Sequence, residues 1–207
     1  MASNSVPPTT ARVGRVRLRR AAIMAGPAAA AAAVLVVLTA QGAIAAQFSI
    51  SGIPFTVTAK QLQGNGFEQY GGLDNMADGS PNAGDSGGQE VVVVSAIKDA
   101  TLTDLCQSVN LGGINMVIRA GTGSTPVSAH DLVTDSSVIS GDAGFKNIEI
   151  GGDASTFTKG DSKGPSGDFG QQADTVTIDN LRQTNYATTA ATFKLPGLHL
   201  SFKNDGC

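Results

Sequence analysis

Beyond residue 46 the chain alternates apolar and polar positions with a period of two. That is the pattern of strands with one buried face. Gln47 to Thr58 places Phe48, Ile50, Ile53, Phe55 and Val57 among Ser and Thr, broken at Gly52. Glu90 to Ile97 contains an uninterrupted Val91-Val92-Val93-Val94 run, which predicts the most buried strand of the chain. The same alternation predicts strands around 100–109, 114–120, 127–133, 145–150, 173–181, 187–195 and 198–202. Leu62 to Tyr70 predicts a short polar return. The stretches 71–89 and 156–170 are rich in Gly, Asp, Asn, Ser and Pro and predict polar loops. Helical signal is confined to one turn over Thr103 to Val109, capped by Thr or Asp.

Within this alternation a six-residue phrase occurs four times. It opens on an apolar or small residue, followed by Thr or Ser and then an apolar residue. Any residue comes fourth, an amide or acid fifth, and Leu sixth. The copies begin at Val57, Ala100, Val127 and Val176 and end at Leu62, Leu105, Leu132 and Leu181. In a strand, residues one and three share a face. The fifth residue, when Asp or Asn, bends the chain through its short polar side chain, and Leu then returns to the core. The copies start 43, 27 and 49 residues apart, too uneven for a solenoid of fixed period. The predicted fold is mainly β. It is a single antiparallel sandwich or curved-sheet domain over 46–207, grown from strand–turn–strand units with inserted loops.

Residues 1–45 stand apart. They contain Arg12, Arg15, Arg17, Arg19 and Arg20, no acid, and an apolar centre at Ala28 to Ala40. Ala43-Ile44-Ala45 supplies small residues for a signal-peptidase cut. This predicts an export signal cleaved after Ala45, with an uncleaved membrane anchor helix as the alternative. Either way the bulk of the chain crosses the membrane.

Without that segment nine basic residues face all seventeen acids, a net charge of −8. Such a surface argues against nucleic acid and against charge-driven docking on anionic lipid. An exported chain with two cysteines predicts one disulfide, Cys106 to Cys207.

Candidate chemistry is sparse. Gly84-Asp85-Ser86-Gly87-Gly88 matches both the trypsin-like serine signature and G-x-S-x-G. The trypsin-like order needs a histidine before the serine, and the exported part has none. Ser86, Asp179 (or Asp174) and His199 follow the order of an α/β-hydrolase, but a loop leads into Ser86 and a valine strand leads out. A nucleophile elbow needs a strand before and a helix after. Asp74, Asp78, Gly79 and Asp85 fall at calcium-loop offsets, yet Met76 takes a ligand position and Asp85 replaces the closing Glu. His130 and His199 are expected on strand surfaces. No metal or cofactor is predicted.

Several segments carry a family resemblance: Ala46-Gln47-Phe48-Ser49-Ile50-Ser51-Gly52, Gly66-Phe67-Glu68-Gln69-Tyr70-Gly71, Leu105-Cys106-Gln107-Ser108-Val109, Gly144-Phe145-Lys146-Asn147-Ile148, and Gln171-Gln172-Ala173-Asp174 through Phe193-Lys194-Leu195. With the arginine-rich leader, they resemble a family of exported actinobacterial proteins, uncharacterised as a group, whose members sometimes bear the label cholesterol esterase. The resemblance spans nearly the whole chain. It implies export but brings no catalytic motif onto particular residues.

Three functions follow as expectations. The first is a non-enzymatic exported protein that binds a lipid or another apolar or envelope molecule. Val91, Val93, Ile148, Ile150, Phe193 and Leu195 are its candidate apolar face. The second is a lipid-ester hydrolase using Ser86, and the third a structural cell-surface protein.

Overall fold

Period-two alternation over most of the chain becomes nine antiparallel strands of one sheet in a computed structural model, which describes residues 49–84 and 87–207. The predicted export segment, 1–45, lies outside the described residues. The strands are β1 (Phe55–Asn75), β2 (Gln89–Thr103), β3 (Leu105–Asn110), β4 (Asn115–Ala120), β5 (Val127–Lys146), β6 (Glu149–Asp153), β7 (Phe169–Thr189), β8 (Thr192–Lys194) and β9 (His199–Lys203). The fold is mainly β, as predicted, and takes the curved-sheet form. β1 pairs with both β2 and β7, and β5 also pairs with both. The four long strands therefore close into a ring. β3, β4 and β9 extend from one side of β1 as a wing.

The repeated phrase builds the core of that ring. Residues one and six are buried in all four copies, and residue three in the first three. Eleven of the fifteen residues of the main core cluster belong to the phrase, and Ile178 packs against them. The fold thus rests on one short pattern used four times.

The bend in each copy has a backbone cause. Asp104, Asp131 and Asn180 occupy its fifth position with φ of 52°, 50° and 54°. Asp and Asn tolerate this left-handed region better than other side chains do. A single such residue rotates the strand, so residue six faces inward where five otherwise would. Gln61 holds the fifth position in β1 without a positive φ. There the neighbours supply the bend. The register on both sides places Lys60 between Asp104 of the β2–β3 line and Asn180 of β7. A second row crosses the sheet through Asp131, Lys98, Gly66, Asp174 and Asn147. Gly66 (φ 66°) and Asn147 (φ 53°) are its further left-handed positions. Gly66 cannot be replaced cheaply, because a Cβ would stand 2.5 Å from the Lys159 carbonyl oxygen.

Asp131, Asn180 and Gly66 bend the chain within strands and Asp104 joins β2 to β3 end to end, which changes several local expectations. Leu62 to Tyr70 does not return but continues β1. Residues 71–75, expected in a loop, extend β1 as far as Asn75, opposite Gln89. Ladder hydrogen bonds need no apolar side chains, and Gly72 lets Val94 lie against the β1 backbone. The predicted helical turn at 103–109 is extended chain, divided only by Asp104. The valine run is buried on one face: Val92 is 2% exposed and Val91 77%. A helical turn forms at Ala154–Thr156, where the Asp153 carboxylate accepts from Ser155 N–H at 3.0 Å.

Candidate ligand-binding cavity

The ring does not fill completely. A cavity of about 320 Å³ lies inside it, reaching the surface past the half-exposed Val93, Phe145 and Phe193. That volume is at the lower end for a small-molecule site. Its apolar walls draw on the phrase through Val57, Leu62, Leu102, Leu105, Leu132 and Ile178, joined by Phe67, Val93, Ile97, Ile139, Ala143, Phe145 and Phe193. A few amides and hydroxyls interrupt them. No charged side chain lines the cavity among the described residues.

Some of the polar groups at the wall are paired. Ser136 donates to Asn185 Oδ1 at 2.8 Å, and Gln69 donates to Ser95 Oγ at 2.8 Å while accepting from Gln171. These groups satisfy one another. Gln107 and Gln183 differ. Both pair with Val57, one on β3 and one on β7, so they flank it on the same face. Neither amide has a partner among the described residues, although Gln183 is only 6% exposed.

The Gln107 face continues outward over the wing. Gln107 pairs with Ile118 and Ile118 with Leu200, while Val109 pairs with Met116 and Met116 with Phe202. Leu200 and Phe202 are 52% and 59% exposed. The opposite face carries Cys106, Ser108 and Val117, all buried, and the C-terminal tail lies against Cys106 and Ser108. There Cys106 and Cys207 form the expected disulfide, with Cα atoms 5.9 Å apart. Cys207 N–H donates to Ser108 Oγ, and Arg182 donates to the Cys207 carbonyl oxygen, each at 2.9 Å. The tail thus seals one face of the wing and leaves the apolar face open. A buried disulfide is compatible with an exported protein.

Titratable groups lie off the cavity. Glu68 is fully buried, and burial raises its pKa above the usual carboxylate range against the pull of backbone N–H groups. The nearest donor is Gly160 N–H at 2.7 Å, so Glu68 anchors the 157–168 loop. Outside it, Lys159 reaches Glu149 and Asp174, both at 3.2 Å. Asp74 and Asp135 form a half-buried carboxyl pair, and desolvation followed by the Asp74 charge raises Asp135 to about 7.

The residues proposed from sequence scatter. Ser86 lies outside the described residues. Asp179 accepts from Gln61 on the surface at 2.7 Å, and exposed His199 lies on β9 opposite Arg119. No hydrogen bond or ion pair joins Asp179 to His199 among the described residues. His130 is half-exposed and sits against Asp99 at 2.9 Å, which raises its pKa. No cluster of metal-ligating side chains occurs among the described residues. Of the candidate apolar face, Val93 and Phe193 line the cavity, and Leu195 packs against the core. Val91, Ile148 and Ile150 are exposed and line none of it. The two unpartnered glutamines went unread in the sequence. Their signal was a polar residue at an inward strand position, visible only once the register with Val57 was known.

No curated protein and no solved structure matches the chain. Residues 51–207 match DUF6230, a family of unknown function, and the chain belongs to that family.

Proposed function

We propose that this is an exported, non-enzymatic protein that holds an apolar molecule, of lipid type, inside its closed sheet. The observation that carries the reading is the uncharged cavity of about 320 Å³, whose apolar walls combine inward residues of the repeated phrase with neighbouring strand residues such as Phe67, Ile97 and Ile139. A ring built only for stability closes on its own side chains, because interiors pack to crystal-like density. Here the same residues that form the core leave a void with a mouth. Burying an acyl or ring surface there contributes roughly 25 cal/mol per Å² of apolar area removed from water. The open apolar face of the wing, continuous with the lining at Gln107, supports the same reading. The disulfide fits an oxidising compartment.

The test is native mass spectrometry of the protein purified from culture medium, with solvent extraction of the same sample. A bound mass that leaves with the solvent is the expected result. A single apo mass, together with no uptake of the neutral apolar probe N-phenyl-1-naphthylamine, would sink the reading.

A further inference from the structure

The cavity's chemistry goes further than its apolarity, and the inference drawn from it rests on the lipid-binding reading above. A primary amide both donates and accepts hydrogen bonds. Gln107 and Gln183 bring two such groups to one stretch of wall, on strands either side of Val57. Two inter-strand spacings separate their backbones by about 9–10 Å. Long side chains on one face reach across such a gap toward a common point. Gln183 is 6% exposed as a residue, lines the cavity, and its amide has no hydrogen-bond partner among the described residues. Its amide atoms are not sealed in the protein, so the group they meet is whatever occupies the cavity. A ligand bearing a complementary polar group can take the place of water there.

The absence of charge from the lining decides which polar group. An ionised carboxylate or phosphate in this wall would lose its water and meet no cation. That desolvation costs several kcal/mol even after relaxation. A hydroxyl or an ester carbonyl loses far less, and the two amides replace its hydrogen bonds. We infer that the cavity selects a neutral lipid, one whose hydroxyl or ester group sits between Gln107 and Gln183 and whose hydrocarbon fills the apolar walls. Free fatty acids and phospholipids are selected against.

The experiment uses the purified exported protein and displacement of N-phenyl-1-naphthylamine at pH 8. Two competitors share a twelve-carbon chain: 1-monolauroylglycerol, which is neutral, and dodecanoate, which is charged. The expected result is displacement by the monoacylglycerol at a concentration at least tenfold lower. Gln183→Leu and Gln107→Leu should each cut that preference to threefold or less while the naphthylamine still binds. Gln107 is only half-buried, so its variant serves if Gln183→Leu fails to fold. Equal or tighter binding of dodecanoate overturns the inference, as does an unchanged preference in the folded variants. In both cases the probe still binds, and the lipid-binding reading survives. Failure of the probe itself to bind removes both.

Discussion

Asp74 and Asp135 hold their carboxyl groups within hydrogen-bonding reach of each other, one at the end of β1 and one in the middle of β5. Each has a buried oxygen, Oδ2 of Asp74 and Oδ1 of Asp135, with no other partner among the described residues. Two ionised carboxylates offer only acceptors, so a shared proton supplies the missing donor.

A pH dependence of stability follows. Burial and the neighbouring Asp74 raise Asp135 to about 7 in the fold, against 3.8 ordinarily. The folded chain therefore holds a proton between those values that the unfolded chain has lost. The stabilisation is complete below about pH 4 and is lost as pH rises through about 7. Discounted for solvent screening of a half-buried pair, the change is on the order of 2 kcal/mol. Thermal unfolding should show Tm falling from pH 5 to pH 8. Asp135→Asn gives Asp74 a permanent donor and should flatten that fall. Glu68, also raised by burial, acts with the same sign and leaves a smaller slope. A variant with the wild-type slope would place the proton elsewhere.

The left-handed bends make a second prediction. Asn180 has φ of 54° and is exposed, and it donates to Asp142 Oδ2 at 3.0 Å. Asn180→Ala places a Cβ-bearing residue without a polar tip in that region, at a cost of about 1–2 kcal/mol. Asn180→Gly removes the strain and should cost less than the alanine variant. Denaturant unfolding that ranks the two the other way would show that the Asp142 contact, not the backbone, sets the choice of Asn.

These bends also show how far the sequence was legible. The phrase marked both the inward residues and the fifth-position bend because both have local causes, a period of two and a short polar side chain. It did not show that strands continue through the bend. That depends on partners: Lys60 is held by two bent neighbours, and Leu62 to Tyr70 stays extended because β2 and β7 pair along it. Ring closure is equally non-local. The cavity was foreseen only as an apolar face. Val91 shares the Val93 side of β2 but is exposed because the pairing with β5 begins at Val93, a limit no local signal marks. Gln183 was invisible because register, too, is set by partner strands. Its polarity resembles that of any outward residue until the register turns it inward.

The disulfide gives a third prediction. It closes a loop with a sequence separation of 101 residues, for which the chain-entropy model gives about 4–5 kcal/mol. Replacing both partners, Cys106→Ala with Cys207→Ala, should lower unfolding stability by about 2–5 kcal/mol. The tail's other ties, Ser108 to Cys207 N–H and Arg182 to its carbonyl, are too weak to hold it alone. The outer face of the wing should then take up hydrogen exchange in β3 and β4 before the ring strands do. Uniform exchange across the sheet would mean that the tail is not what protects the wing.

The open face of the wing separates binding from stability. Leu200 and Phe202 are more than half exposed, so truncating them removes little packing. Leu200→Ser and Phe202→Ser should change stability by no more than about 0.5 kcal/mol. If a ligand chain runs from the cavity past Gln107 and Ile118 onto this face, the same variants remove part of its apolar contact. Burial of about 50 Å² on each side chain is worth roughly 1 kcal/mol, or fivefold in affinity. The loss should fall on a long ligand such as 1-monopalmitoylglycerol and spare a short one such as 1-monobutyrylglycerol. Displacement titrations with both, on variants of unchanged Tm, make the comparison. Equal loss for the two chain lengths, or none for either, would confine the ligand to the ring interior and leave the wing's exposed apolar face without a part in binding.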